Sequence, residues 1–563
     1  MRARAAAAAA AAVDLATIRT PRVQPFTRPR AAGDVMACML DKYTGVRAAD
    51  LGEEEIRALA RKHADTARRL MARNAGGGAW LTWQQLCELV AECGGKITPS
   101  KKLPGLEDWA RRACDAFWWR RQLRRWATRS YESGAYDLGL IGARAGQWYC
   151  SNRAVVRRVQ QVKASVAMMK NTIIENDSGQ QLNLWEVAQR SVSNKAIRRG
   201  ELMTRVRGCE EWALHSGLQG IFTTNTCPSR YHSQLKGGGK NPKWDGSLPD
   251  AGQAWLLETW QKLRNKWSRD KVKVMGFRVA EPHHDGCPHW HMLLWCEPQH
   301  VEYVCESMRA QWLKDCGDEP GADKHRCKTM LMEAGGATGY IAKYIAKNID
   351  DVHVPGGHVD DEVPQQELGA DLLGDLEIKP SMRVETWATA WRIRQFQPIG
   401  QPSVTVWREL RRMSEEQAGA GSDTVIHAWL AAHRRGEQLA CWRKYMKAQG
   451  GPLQARDDYR LGMFYIERQC QGRYGKAARK VACGVSDRRV QGEMHATLST
   501  RRAWGGEGFA SRNAAPPWTR FNNCTAHNRR SVGAVVNQLA EVRARHGLGR
   551  DFSETGAAGW PPD

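Results

Sequence analysis

The stretch that most constrains this chain is a turn. Asp285-Gly286 lies between two runs of strand-forming residues, Val272–Glu281 (VKVMGFRVAE) and His289–Trp295 (HWHMLLW). An Asp-Gly pair in that setting is a strong β-hairpin signal. A third run, Gly220–Thr226 (GIFTTNT), ends at Cys227-Pro228 and reads as a strand entering a turn. The second arm of the hairpin carries His289-Trp290-His291. Strand residues i and i+2 project to one face, so both imidazoles can meet one metal ion, while Trp290 and Met292-Leu293-Leu294 supply core packing. By itself an H-x-H in a strand is weak, since structural histidines and chance produce it more often. What raises it here is the density of acid and histidine on the other arm: Glu281, His283, His284 and Asp285.

Glu281 is the choice for a third ligand, and the hairpin register decides whether it can serve. If Asp285-Gly286 is a strict two-residue turn, His289 faces Pro282, His291 faces Ala280, and Glu281 points to the opposite side. An odd-length loop or a bulge, compatible with Pro282 and Pro288, turns Glu281 to the histidine side. His283, His284 and Asp285 stand as substitutes.

Downstream, YIAKYIAK (Tyr340–Lys347) repeats every four residues. On a helix this spacing stacks Tyr340 and Tyr344 on one face, with Lys343 and Lys347 close to it. The helix is expected to begin after Gly335-Gly336, with Thr338 as its cap. On an arbitrary helix such a pair is most often amphipathic packing; the lysines and the upstream H-x-H hairpin change that reading. A phenol attacks only if its pKa of about 10 is offset, and neighbouring ammonium groups and a metal-bound phosphate both favour phenolate. Together these parts make a phosphodiester transferase. A divalent ion on the histidine pair polarises the scissile phosphate. A tyrosine attacks in line, forms a 5′-phosphotyrosine and releases a 3′-hydroxyl. The link keeps the phosphodiester's energy, so rejoining needs no nucleotide. A second tyrosine on the same face could cut again while the first holds DNA.

Composition narrows the partner. The chain has 563 residues, with 84 Lys+Arg against 60 Asp+Glu for a net charge of +24, which points to a polyanion, most simply nucleic acid. No run approaches the ~18 apolar residues of a spanning helix, so an integral membrane protein is not expected. Sixteen cysteines with no C-x-x-C pair read as reduced, mostly buried thiols of a protein in the cytoplasm. GGGKN (Gly237–Asn241) lacks the G-x-x-x-x-G-K-[ST] spacing, so no ATPase or helicase is expected. No G-x-S-x-G, H-E-x-x-H or paired-cysteine zinc pattern occurs either.

Along the chain, residues 1–33 read as a disordered Ala/Arg-rich extension; the opening MRARAAAAAAAAV imitates a signal peptide but is nearly pure alanine and followed by a basic stretch. Residues 34–215 read as a basic helical domain. Its segment 111–210 carries 19 Lys+Arg and 8 Asp+Glu, with Arg interleaved with Trp (FWWRRQLRRW). Solvated helix faces explain that pattern as well as a DNA-docking surface does, and the two are compatible. Residues 216–415 turn to short β-rich runs up to about 300, then helix to about 349, then an acidic, Gly- and Pro-rich loop at about 350–378. Residues 416–480 read as helical, and 481–563 as a basic, loosely ordered tail with a helix near 532–546.

His289-Trp290-His291 resembles the HUH motif (His, bulky hydrophobic, His) of rolling-circle replication initiators. Tyr340-x-x-x-Tyr344 resembles the two-tyrosine motif of that class, and FTTNTCPSRYH (Phe222–His232) the strand motif that precedes them. The phrases EPHHDGCPHWHMLLW, TGYIAKYIAKNID and WRIRQFQPIGQPSVTVWREL are similar to the bacteriophage replication gene A protein family, over about residues 110–415. The resemblance implies an α+β fold: an HUH-type, ferredoxin/RRM-like antiparallel sheet with flanking helices, preceded by the basic helical domain. It also implies a site- and strand-specific nickase that starts rolling-circle replication of phage or prophage DNA. Tyr340 and Tyr344 are then nucleophiles assisted by Lys343 and Lys347, and His289 and His291 are metal ligands joined by Glu281. The implied metal is Mg²⁺ or Mn²⁺, although two imidazoles alone would favour zinc or another late metal. The implied partners are single-stranded or supercoiled origin DNA, a host helicase and the host replication machinery, with no membrane, in the cytoplasm of the bacterial host. Three alternatives stay open: an HUH relaxase or transposase, a non-catalytic DNA-binding prophage remnant with a structural metal, and a zinc-dependent hydrolase that needs neither tyrosine.

Overall fold

The computed structural model describes residues 48–73, 85–90, 112–176, 178–333, 335–349, 379–472, 475–489, 495–499 and 504–505. In chain order its principal elements are α1 Glu53–Arg73, α2 Ala116–Asp137, α3 Asn152–Lys170, β1 Ile173–Asn176, β2 Gln181–Asn183, α4 Lys195–His215, β3 Gln219–Thr226, α5 Pro249–Arg269, β4 Met275–Pro282, β5 Pro288–Cys296, α6 Val301–Leu313, β6 Cys327–Met332, α7 Ala337–Ile349, α8 Pro380–Trp391, β7 Phe396–Ile399, α9 Val404–Leu410, α10 Asp423–Ala432, α11 Trp442–Ala448, β8 Leu461–Gly472, β9 Gly475–Asp487, β10 His495–Leu498 and β11 Trp504–Gly505. The mixture of helix with antiparallel sheet makes the fold α+β.

The central sheet has five strands in the order β6-β3-β5-β4-β7, every pair antiparallel, so the histidine strand β5 lies in the middle. Two smaller sheets, β11-β1-β2 and β10-β9-β8, stand apart from it. Both faces of β5 are covered, which is why its sequence is almost continuously apolar. Trp290, Met292, Leu294 and Cys296 point into one core, shared with Leu256, Trp260, Leu263 and Trp267 of α5 and with Trp387 and Trp391 of α8. Leu293 and Trp295 point into the other, shared with Ile341, Tyr344, Ile345 and Ile349 of α7, with Val206 and Cys209 of α4, and with α9 to α11. The two-residue period of the strand therefore divides it into a packing face and a face that also carries His289 and His291. Burying one such large side chain contributes roughly 1.5–3 kcal/mol. A third cluster joins α1 and residues 85–90 to Trp118, Trp119 and Leu123 of α2.

Several local readings differ from the structure. The 34–215 stretch is interrupted by the β1–β2 hairpin, whose strands of four and three residues are too short to leave a two-residue period. The β-rich stretch at 216–300 also holds the 21-residue α5, whose buried Leu256, Trp260, Leu263 and Trp267 recur at helical spacing. β6 falls within the stretch read as helix up to 349; it is an edge strand with Met330 and Leu331 exposed, so it shows no inside–outside alternation. The 416–480 segment is helical only as far as α11 and then forms β8, while β9 and β10 carry ordered strand into the stretch read as a loose tail. Helix α7 starts at Ala337, which makes Thr338 its second residue and not its cap. The extension 1–33, the acidic loop near 350–378 and the helix near 532–546 lie outside the described residues. The described cysteines are free thiols. Among the described residues no helix is long and apolar enough to cross a membrane.

Candidate metal centre and the tyrosine helix

The turn of the hairpin sets the site. His283 N–H donates to the Cys287 carbonyl at 2.8 Å, leaving a three-residue loop, and Gly286 adopts φ +78° while its N–H donates to the His283 carbonyl at 2.7 Å. A three-residue loop closed by a left-handed glycine is a standard hairpin connection. Its odd length moves the register by one from that of a two-residue turn, so Glu281 pairs with His289, Val279 with His291 and Pro282 with Pro288. Glu281 thereby faces the same side as the two histidines.

His289 and His291 are buried, and their Nε2 atoms lie 2.9 Å apart. Glu281 is buried beside them, with Oε2 3.9 Å from His291 Nε2. Among the described residues these three form the one group of acids, histidines or cysteines whose ligand atoms all lie within 4.8 Å of one another. Thr224 Oγ1 on β3 sits 3.1 Å from His291 Nδ1, which fixes the ring and leaves Nε2 directed inward. Burial holds both imidazoles well below the usual histidine range; His291 reinforces this at His289, and Lys347 at His291. Both are therefore neutral near pH 7, the form that donates a lone pair to a metal. Burial also raises the Glu281 carboxyl, against the pull of Lys347 and Asn348. Two imidazoles and one carboxylate fit a divalent cation and leave coordination positions open for a substrate oxygen.

The substitute ligands go elsewhere. Asp285 Oδ2 lies 3.3 Å from His232 Nδ1 and accepts from Gln234 N–H at 3.4 Å. Burial opposes ionisation of Asp285, but the imidazole of His232, with His284 and His283, outweighs it and holds the carboxyl well below the usual carboxylate range. The His283 ring packs on His289 with centroids 4.0 Å apart, without joining the ligand cluster. His284 contributes its carbonyl to Tyr149 N–H at 3.1 Å.

Helix α7 lays its tyrosine face on the same side of the sheet. The Tyr344 ring stacks on His291 with centroids 4.0 Å apart and planes 27° apart. Phe222 of β3 meets Tyr344 at 5.6 Å and Tyr340 at 4.5 Å, and the two tyrosine rings are 6.4 Å apart. Tyr344 is buried, whereas Tyr340 is half-buried. Lys343 Nζ lies 4.2 Å from the Tyr340 centroid and 5.0 Å from that of Tyr344, within cation–π range of both. Lys347 Nζ lies 3.7 Å from Glu281 Oε2.

Four supporting residues are not among the site candidates read from the sequence. Asn348 donates to Glu281 Oε1 and also, at 2.6 Å, to the Tyr344 carbonyl, and Gln395 donates to Asn348 Oδ1 at 3.2 Å. Thr224 orients His291 as described above. Glu210 on α4, buried, takes the place expected of Thr338: its carboxylate accepts from Ala337 N–H at 2.8 Å and from Thr338 N–H at 3.3 Å. The Thr338 hydroxyl itself finds no hydrogen-bond partner among the described residues. An acidic group at a helix N-terminus both caps orphan N–H groups and complements the helix dipole.

Comparison with known proteins places these residues in a context. Residues 84–352 match the family described as bacteriophage replication gene A protein. The chain is 38% identical over 365 residues to the replication gene A protein of Escherichia phage 186, covering 64% of this chain and 50% of that protein. It is 36% identical over 429 residues to the replication protein of Haemophilus phage HP1, covering 72% and 52%. It is 31% identical over 429 residues to a probable replication endonuclease from a prophage-like region of Salmonella paratyphi A, covering 74% and 52%. The chain thus spans about half the length of these relatives. No solved structure matches it.

Proposed function

Residues 84–352 belong to the bacteriophage replication gene A protein family, and from this we propose that the chain is a phage or prophage replication initiator that nicks and rejoins DNA through a tyrosine. The carrying observation is that two motifs some fifty residues apart in sequence meet: Tyr344 stacks on His291, and Lys347 of the same helix reaches Glu281. Several relatives are named as probable replication endonucleases from prophage-like regions, which supports nuclease activity.

In this reading Glu281, His289 and His291 would hold a divalent cation, Mg²⁺ or Mn²⁺, and the cation would supply charge balance at the scissile phosphate. Thr224 and Asn348 keep the ligands aimed. A tyrosine hydroxyl, Tyr344 or Tyr340, attacks phosphorus in line; the phenolic O–P bond forms as the P–O3′ bond breaks, leaving a 5′-phosphotyrosine and a free 3′-hydroxyl. Lys343 presents its ammonium over both rings, and Lys347 favours the ionised form of Glu281. The central sheet is read as an HUH-type domain, and the basic helices before it as a second DNA contact. Recognition of one origin strand, rolling-circle initiation, dependence on a host helicase and action in the bacterial cytoplasm complete the proposal.

Incubation with end-labelled single-stranded fragments of the cognate phage or prophage DNA and Mn²⁺, followed by a denaturing gel, tests it. The expected result is a protein-linked band that EDTA abolishes and that Tyr340→Phe/Tyr344→Phe lacks. The burial of Tyr344 favours one other reading, a DNA-binding protein with a structural metal. That protein would shift the fragments on a native gel and form no covalent band.

A further inference from the structure

The glycine-rich segment that fails as an ATP-binding loop forms a small basic arm. Gln234 bridges to Lys240, Leu235 N–H donates to the Gly239 carbonyl at 3.0 Å, and Gly238 N–H to the Leu235 carbonyl at 2.9 Å. Gly238 and Gly239 take φ +88° and +94°, a conformation that side chains rarely adopt. The base is fastened by the buried Asn241. Its Nδ2 donates to the carbonyls of Ser229 at 2.8 Å and His232 at 2.9 Å, and its Oδ1 accepts from Lys243 N–H at 3.1 Å. Two ties lead from this base to the metal hairpin: Gln234 N–H and His232 Nδ1 both reach Asp285, in the turn between Glu281 and His289.

Along the arm the charge is uncompensated. Lys236, Lys240 and Lys243 are exposed, and among the described residues none has a carboxylate within ion-pairing distance. The exposed Arg144 lies across Gly238, where an added Cβ would fall 2.8 Å from Arg144 Cδ. Segment 229–244 has no acidic residue at all. A solvated lysine needs no fixed loop to hold it. Here tight backbone bonds and buried asparagine present four cations together beside the metal hairpin, where their mutual repulsion is relieved by a polyanion.

We propose that residues 234–244, with Arg144, form a phosphate-binding arm that grips single-stranded DNA next to the metal centre. The proposal rests on the nuclease reading for the identity of its polyanion. Its test is equilibrium binding of a fluorescent single strand of about 30 nucleotides, by anisotropy in EDTA, between about 50 and 300 mM KCl. Each neutralised phosphate contact contributes about 0.7 to the slope of log affinity against log salt for single strands, so Lys236→Ala/Lys240→Ala/Lys243→Ala should flatten the slope by about 2. The matching triple change to Arg should restore it, and calorimetric Mn²⁺ affinity should stay at the wild-type value in both. An unchanged slope in the alanine variant overturns the arm, as does lost Mn²⁺ binding, which would make the loop a scaffold of the metal site. A covalent-adduct gel on the wild-type protein separates the two proposals. Adduct with an unchanged slope leaves the nuclease and removes the arm, whereas no adduct with a flattened slope leaves the arm and removes the nuclease.

Discussion

Glu210→Ala should loosen the tyrosine helix while leaving the histidine strand in place. The Glu210 carboxylate accepts from two of the N–H groups at the start of α7, at 2.8 and 3.3 Å, and is buried. Loss of a helix N-cap costs about 1 kcal/mol. Loss of a partly buried anion at the positive end of the helix dipole costs a similar amount, up to about 2 kcal/mol. The sum is about 2 kcal/mol, so if α7 opens as a local unit its open population rises roughly 30-fold. Hydrogen exchange read peptide by peptide should therefore speed up about 30-fold over 341–349, with β5 unaffected. Glu210→Gln retains an acceptor and loses the charge, so it should lie between wild type and alanine. Thr338→Ala should change nothing, because its hydroxyl finds no hydrogen-bond partner among the described residues. Equal protection of α7 in wild type and Glu210→Ala would refute the capping role of Glu210, as would a protection loss in Thr338→Ala matching that of Glu210→Ala.

Three further outcomes follow from particular contacts. Glu281→Ala removes the carboxylate from the ligand cluster and leaves Lys347 beside the histidines, so calorimetric titration should show Mn²⁺ affinity reduced at least about tenfold. Trp290→Ala empties a fully buried site in the central strand, where the indole N–H donates to Gln253 Oε1 at 3.1 Å and the Arg278 guanidinium lies 4.2 Å from the ring; urea unfolding should show a loss of about 3–5 kcal/mol. Burial pushes the Glu132 carboxyl from 4.5 up to about 7, with Ser151 N–H and Arg383 opposing. The folded state therefore favours the neutral acid: that stabilisation is whole below about pH 4.5 and is lost as pH rises through about 7, up to about 3 kcal/mol. Glu132→Gln should flatten the fall in stability across that window, measured by urea midpoints at pH 4.5, 6 and 8; a profile identical to wild type would contradict the assignment.

The sequence carried the site's two arms because both are periodic over short distances. Alternation in HWHMLLW put His289 and His291 on one face of a strand, and four-residue spacing put Tyr340 and Tyr344 on one face of a helix; both are so placed. The hairpin register was not legible. A slip of one residue reverses the face of Glu281, and the choice between a two- and a three-residue turn is made by the φ of Gly286 and the His283–Cys287 bond, which two candidate loops from the same letters do not reveal. Glu210, Asn348 and Gln395 were illegible for another reason: each acts through a partner distant in sequence, and an isolated Glu, Asn or Gln in a helix or loop has no pattern to mark it. β6 and α5 were missed in opposite ways. An exposed edge strand has no alternation to detect, whereas α5 shows its helical spacing only once its tryptophans are treated as core positions.

The most direct measurement maps the nucleotide on the protein. Trypsin cutting after Lys328, Lys343 and Lys347 places Tyr340 in peptide 329–343 and Tyr344 in peptide 344–347, so mass spectrometry of the nuclease-trimmed adduct distinguishes them. A tyrosine nucleophile on α7 predicts a 5′-nucleotide mass on one or both of these peptides, formed with Mn²⁺ and absent with EDTA. A nucleotide on any other peptide, or nicked DNA with no peptide modified, would contradict it.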